Sequence, residues 1–413
     1  ISSILRQRFQ PLHRIMSSPL PMLELPVYMD NHATTRVDPR VVAEIVPLFD
    51  QHYGNPGSTS HGFGWDAKDL VDSARVSIAE NIGASDKEIV FTSGATESNN
   101  LALRGISHRA NRTGNQIISV CTEHKAILDP LDRLARDGVN VTLLPVQQTA
   151  GLDAGLVSPA QVAEAISDDT FLVSVMLANN EIGVLQPIAE IGEICRERGV
   201  LFHTDATQAV GRVPVDVEKL NVDLMSFSAH KIYGPKGSGA LYVRRKSVRL
   251  AAQIDGGGQE GGRRSGTLNP VGILGLAMAL RLCIEELDGE TLRLERLRNR
   301  LWKGISAIDD VLLNGPDLSN HLRLPGNLNC SFIDVDGEAL MMSMKDLAVS
   351  SGSACTSNNP EPSHVLRHLG LNDDTTRASL RFGLGRFNTE AEVDFAIDLV
   401  RQNVEKLRSM RSL

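Results

Sequence analysis

Asp223-Leu-Met-Ser-Phe-Ser228-Ala-His230-Lys231-Ile-Tyr-Gly234-Pro-Lys236-Gly-Ser-Gly239-Ala-Leu-Tyr-Val243 decides how the chain is read. Residues 223–228 and 239–243 are short apolar runs, and a polar, glycine-containing segment joins them. Short apolar runs bounded by turn residues read as buried strands. Lys231 then stands at the mouth of a sheet, with His230 and Lys236 close in sequence. A lysine so placed can form a Schiff base with an aldehyde, and a neighbouring cation keeps its amine nucleophilic. Taken alone, the stretch reads equally well as a surface lysine before a Gly/Pro turn.

Outward from this stretch the same texture repeats. Candidate strands are 88–92, 116–121, 139–146, 170–178 and 200–205, and helical patterns such as 126–137 and 187–198 lie between them. The alternation predicts an α/β fold with a mostly parallel sheet covered by helices on both faces. After about residue 270 the pattern changes. Two helical segments, one charged and running to about Ile308, precede a strand at 327–334, a loop bearing a cysteine, a strand at 378–384 and an amphipathic helix from about 389. This predicts a large domain over 36–275 and a smaller α/β domain over 276–413. Gly256-Gly-Gly-Gln-Glu-Gly-Gly262 is too irregular for a dinucleotide fingerprint and reads as a mobile loop leading into Arg264-Ser-Gly-Thr267.

Three further motifs carry chemistry. Val200-Leu-Phe-His-Thr-Asp205 delivers a lone carboxylate at the end of an apolar strand, where open α/β sheets bind ligands. A pyridoxal phosphate ring takes an acid there, paired to its pyridinium nitrogen. Glu88-Ile-Val-Phe-Thr-Ser-Gly94-Ala95-Thr96-Glu97 reads as strand, small-residue turn and helix start, a cradle for phosphate. An ordinary helix cap uses the same residue types. Val349-Ser-Ser-Gly-Ser-Ala-Cys355-Thr-Ser-Asn-Asn-Pro360 sets one cysteine in a polar loop. Cys121 and Cys330 lie in strand-like runs, and Cys195 and Cys283 in helix-like ones, so Cys355 is the candidate nucleophile.

Composition narrows the class. The 413 residues are 42% hydrophobic and 22% charged, ordinary for a soluble globular chain long enough for two domains. A net charge of −8 disfavours non-specific binding to nucleic acid or an anionic membrane. No apolar stretch reaches the roughly 20 residues of a membrane helix. Five cysteines without CxxC spacing argue against a disulfide framework or a zinc site and fit a reducing compartment.

The motifs, in this order, resemble the cysteine desulfurases, which are fold-type I pyridoxal-phosphate enzymes of the class-V aminotransferase superfamily. The match is to the housekeeping branch that supplies sulfur to iron–sulfur clusters, and it runs from about Tyr28 to about Arg401. Beyond the motifs above it rests on Ala33-Thr-Thr, Gly54-Asn-Pro, Thr122-Glu-His124-Lys, Asn179-Asn180-Glu-Ile-Gly and Asp205-Ala-Thr-Gln208. The resemblance implies that Lys231 holds the cofactor aldehyde, Asp205 the pyridinium nitrogen and Gln208 the phenolic oxygen. His124 stacks on the ring and shuttles a proton, and it is the candidate acceptor for the thiol proton of Cys355. Ala95, Thr96, Ser228 and His230 hold the phosphate, and Thr267 reaches that of a second subunit in a homodimer. Asn180 and Arg381 face the carboxylate of L-cysteine; a sheet-edge salt bridge is the other reading of Arg381. Cys355 takes the sulfur as a persulfide and hands it to an acceptor, an iron–sulfur scaffold or a transfer-RNA thiolation enzyme. Residues 26–35 join the smaller domain.

The sequence departs from the family at two places. Gln259 stands where a histidine is common, and Ala229 where a glycine is common. Residues 1–25 lie outside the resemblance. With Arg6, Arg8 and Arg14 and no acid before Glu24, they read as a transit-type presequence, as a disordered extension, or as a start placed too early, with Met16 or Met22 as the true one. The expected compartment is the cytoplasm, or an organelle if residues 1–25 are a transit peptide. The family's C-terminal tail commonly runs about twenty residues further, so weaker scaffold docking is expected. Two other functions are weighed: another fold-type I enzyme such as a selenocysteine lyase or aminotransferase, and a catalytically silent sulfur relay. The long loop of Cys355 speaks against the first. Intact Lys231, Asp205 and His124 speak against the second.

Overall fold

A computed structural model describes residues 23–109, 112–148, 151–351 and 361–411. Cys355 and residues 1–22 of the expected N-terminal extension lie outside the described residues. After a short strand β1 (Val27–Tyr28), seven strands build the main sheet: β2 (Ile89–Thr92), β3 (Gln116–Val120), β4 (Asn140–Leu144), β5 (Thr170–Ser174), β6 (Leu201–Asp205), β7 (Leu224–Ser228) and β8 (Gly239–Val243). Their order is β2-β8-β7-β6-β5-β3-β4, and only β8 runs antiparallel to its neighbours.

The strands read as unbroken apolar runs because both faces are covered. Along β3, Ile117 enters one core and Ile118 the other; Leu172 and Val173 of β5 and Leu241 and Tyr242 of β8 divide in the same way. That is the two-residue alternation of a strand expressed inside a sandwich. Helices Ala95–Ser107 and Lys125–Arg136 cover one face. Gly62–Asn81, Ile188–Arg198 and Pro270–Glu285 cover the other.

A second core belongs to the smaller part. Strands β9 (Val311–Leu313), β10 (Asn327–Phe332), β12 (Ser350–Ser351) and β13 (Ser379–Gly383) form an antiparallel sheet in the order β12-β13-β10-β9, and β11 (Leu347–Ala348) pairs in parallel with β1. Helices Leu287–Ile305 and Glu390–Arg411 pack on it, and Val27 and Met29 enter the same core.

The helix Pro270–Glu285, which spans the expected boundary at 275, buries Leu276, Ala279, Leu280 and Cys283 in the first core. Val365, Leu366 and Leu369 also pack there rather than in the second core. The glycine cluster 256–262 is pinned, not loose. The Glu260 carboxylate accepts from Arg75 at 2.6 and 2.8 Å and from the Phe91 N–H at 2.8 Å. No described helix is long and apolar enough to cross a membrane.

Candidate active site

A cavity of about 660 Å³ opens at the carboxyl ends of β3, β5, β6 and β7. Its wall includes Ala95, Thr96, His124, Asn180, Asp205, Gln208, Ser228, His230, Lys231 and Arg381. Residues up to 351 positions apart in sequence meet here, since Asp30 pairs with Arg381. Of the expected site residues, Thr267 is exposed and does not line this cavity.

The chain builds each position locally. β7 ends at Ser228, and a single tight turn, Ala229–Lys231, sets Lys231 over the strand end. Its Nζ donates to the carbonyls of His32 at 2.5 Å and Ala33 at 2.7 Å. Ala229, the departure from glycine, is fully buried, and its methyl fills the space that a side chain at Gly234 would need. Below the turn the half-buried Arg212 donates to the carbonyls of Asn31 at 2.7 Å and Lys231 at 2.9 Å, and to His32 Nδ1 at 2.6 Å. Burial first, then the Arg212 charge, holds His32 well below the usual histidine range, so its ring is neutral.

Asp205 closes β6 and is 5% exposed. Its carboxylate accepts from the Asn99 amide at 2.7 Å and the Thr207 N–H at 2.9 Å. These bonds fix the carboxyl group where it lines the cavity.

At the far wall, Gly94 has φ 151°, a conformation that favours glycine, and it opens the helix Ala95–Ser107. The first N–H groups of a helix have no partner inside it and suit a phosphate. Ser93, Ser228, His230 and Lys236 stand around that helix start. Glu97 would oppose an anion, but its carboxylate is turned onto Arg264 Nε at 2.7 Å and the Ser93 N–H at 2.8 Å. Burial, with Lys231 and Lys236 nearby, brings His230 down to about 4, so it is neutral at pH 7.

His124 caps the helix Lys125–Arg136: its Nδ1 accepts from the Ala126 N–H at 3.0 Å. Burial lowers its pKa. The cap assigns the proton of the neutral ring to Nε2. The ring therefore rests as a hydrogen-bond donor. The expected role as acceptor of the Cys355 proton requires the other tautomer and costs the cap.

Arg381 lies in β13, between β12 and β10, so it is interior to its sheet rather than at an edge. It is 4% exposed and donates to Asp30 Oδ1 at 2.8 Å and to the Asn180 carbonyl at 3.1 Å. Sequence reading missed Asp30, His32, Thr34, Asn99 and Arg212. The dense polar run Asp30-Asn-His-Ala-Thr-Thr35 after an apolar strand was the available signal for the first three. Gln208, assigned to a phenolic oxygen, here donates to the His32 carbonyl at 2.9 Å.

The residues present fit pyridoxal phosphate. An amine, an anchored acid and a helix-start cradle share one cavity, and the buried Arg381 Nε and Thr207 Oγ1 have no partner among the described residues. Comparison with known proteins agrees. The family model "Aminotransferase class-V" matches residues 27–395. Proteins named cysteine desulfurase IscS are similar to the chain: one from Anaeromyxobacter sp. (strain K) is 55% identical over 95% of both chains, and one from Salmonella schwarzengrund (strain CVM19633) is 54% identical over 95% of this chain and 96% of its own. A solved structure titled NifS-like protein superposes with a TM-score of 0.85 at 37% identity, over 92% of this chain and 100% of its own. The chain belongs to the class-V aminotransferase family of pyridoxal-phosphate enzymes, in its cysteine desulfurase branch.

Proposed function

We propose that the chain is a cysteine desulfurase, converting L-cysteine to L-alanine and leaving the sulfur as a persulfide on Cys355. The observation that carries this reading is the meeting of Lys231, Asp205 and Arg381 on one cavity. Lys231 would hold the aldehyde of pyridoxal phosphate, Asp205 its ring nitrogen and Gln208 its phenolic oxygen. His124 and Asn180 would lie against the ring. Ala95, Thr96, Ser228 and His230 would hold the phosphate. Bound there, the ring supplies an electron sink for the α carbon of the substrate.

The rest falls to the chain. Arg381 and Asn180 fix the substrate carboxylate. Lys231, once its amine is free, takes the α proton and returns it. The thiolate of Cys355 attacks the substrate sulfur; an S–S bond forms, the C–S bond breaks, and the carbon product gains protons to leave as alanine. His124 donates a hydrogen bond from Nε2. With a thiol reductant, cysteine should yield equimolar alanine and sulfide. Alanine formation from selenocysteine alone would replace this reading with that of a lyase.

Arg381→Ala should weaken cysteine binding more than cofactor binding. It removes a charge-assisted pair from a nearly dry site, a loss on the order of 2–5 kcal/mol. Arg381→Lys should recover only part, because an ammonium lacks the planar fork. Steady-state kinetics decide: an unchanged KM and kcat in Arg381→Ala would leave the arginine a purely internal ion pair.

A homodimer completes the site in this reading. Thr267 is exposed on a loop braced from both sides: Arg264 pairs with Glu97, and Gln259 Oε1 accepts from the Gly266 N–H at 2.9 Å. The loop is thus held at the phosphate cradle of its own chain while Thr267 faces outward. A second copy would receive Thr267 at its phosphate. Permanent dimers commonly bury more than about 2,000 Å². Sedimentation at micromolar concentration should show a dimer, and a fully active monomer would sink the shared site. The sulfur would pass to acceptor proteins for iron–sulfur cluster assembly and transfer-RNA thiolation. The cytoplasm suits a chain whose described cysteines are all unpaired.

A further inference from the structure

Arg381 is already engaged by a carboxylate. Its Nη2 donates to Asp30 Oδ1 at 2.8 Å and to Ser350 Oγ at 3.0 Å, and its Nη1 donates to the Asn180 carbonyl at 3.1 Å. Ser350 in turn donates its proton between the two Asp30 oxygens, each 2.9 Å away. The Nε of Arg381 is buried and has no partner among the described residues. Asp30, Ser350 and Arg381 all line the cavity of Lys231.

The fold builds this arrangement from three distant segments. Asp30 bridges to Gly383, two residues along β13 from Arg381 and so on the same face of the strand. A side chain at Gly383 would come within 2.9 Å of the backbone nitrogens of Asn31 and His32, so glycine lets the segment close onto the strand. Ser350 is the cross-strand partner of Arg381.

A carboxylate that takes an arginine side-on uses Nε and Nη2 together. Arg300 holds Asp394 in this way, at 2.6 and 2.8 Å. On Arg381, Nε is available and Asp30 occupies Nη2. We propose that Asp30 sets the specificity of the substrate subsite as a resident carboxylate, neutralising Arg381 until the α-carboxylate of the incoming amino acid displaces it from Nη2 and closes the Nε–Nη2 fork. This rests on the reading of Arg381 as the carboxylate anchor. Two carboxylates compete for one guanidinium, so a ligand must displace Asp30 to seat its own carboxylate, and the arginine stays ion-paired between turnovers.

The test uses the cofactor-loaded enzyme and two thiols. 3-Mercaptopropionate has the carboxylate without the amine; cysteamine has the amine without the carboxylate. Asp30→Asn keeps an acceptor for Arg381 and removes the charge. It should bind 3-mercaptopropionate roughly tenfold tighter than the wild type by calorimetry, because a like charge beside the anchor is gone. KM for cysteine should fall in step, and cysteamine should bind no tighter. Asp30→Ala should shift the same way, and Arg381→Ala should cancel the gain. If Asp30→Asn gains nothing while Arg381→Ala loses affinity, the proposal fails and the anchor reading stands. An equal gain for cysteamine also overturns it. If Arg381→Ala binds 3-mercaptopropionate as the wild type does, the anchor reading fails and takes the proposal with it.

Discussion

Lys231→Ala should be inactive, with kcat down by roughly 10³-fold or more, since it removes both the attachment point and the group that moves the α proton. The structure says why no neighbour can stand in. Lys231 Nζ is held by the carbonyls of His32 and Ala33 over the end of β7. His230, the next ring along, bonds Thr34 and stays neutral at pH 7. Lys236 lines the same cavity beyond the turn. Alanine leaves two carbonyls facing the open cavity, so the fold should lose little stability. The purified wild type should be yellow, and borohydride should fix the cofactor to Lys231. Mass spectrometry of the tryptic peptides checks this. Unchanged trapping in Lys231→Ala would exclude the lysine from its role.

Much of this site was legible because its parts sit at strand ends. A strand buried on both faces is a continuous apolar run, and the first polar residue after it marks the carboxyl edge of the sheet. Asp205, His124 and Lys231 all follow such runs, and the expected strand at 239–243 coincides with β8. The floor of the cavity was less legible. Asp30, His32 and Thr34 come from a segment with no periodicity, and their partners lie between 176 and 351 residues away. Arg212 stands between apolar and glycine neighbours and reads as a surface charge, yet it is the half-buried brace beneath Lys231. The change of texture near residue 270 has a related cause. The helix Pro270–Glu285 is apolar nearly all round, so its change of texture marked deep burial in the first core rather than the start of a second.

Cys355→Ser should bind the cofactor and cysteine yet lose persulfide and nearly all sulfide release. The argument is one of elimination among five thiols. The other four are buried. Burial pushes Cys195 up to about 12 and Cys283 up to about 11, and it raises Cys121 and Cys330 as well. A thiol so raised is scarcely ionised at neutral pH, and the thiolate is the nucleophile. Cys355 lies outside the described residues, but the positions flanking its segment are held at the site. Ser350 bonds Asp30 and Arg381 on the cavity wall, and Ser363 donates to the Glu181 carboxylate at 2.5 Å, next to Asn180. Five residues of extended chain from Ser350 span at most about 17 Å, ample to bring the thiol to a substrate on Arg381. A serine hydroxyl is nearly isosteric but cannot take a sulfur atom to form a persulfide. Trapping with a thiol-specific alkylating agent after a single turnover should label Cys355 with one extra sulfur in the wild type and leave the variant blank. Full sulfide release by Cys355→Ser, or an added sulfur on any of the four buried thiols, would move the acceptor role elsewhere.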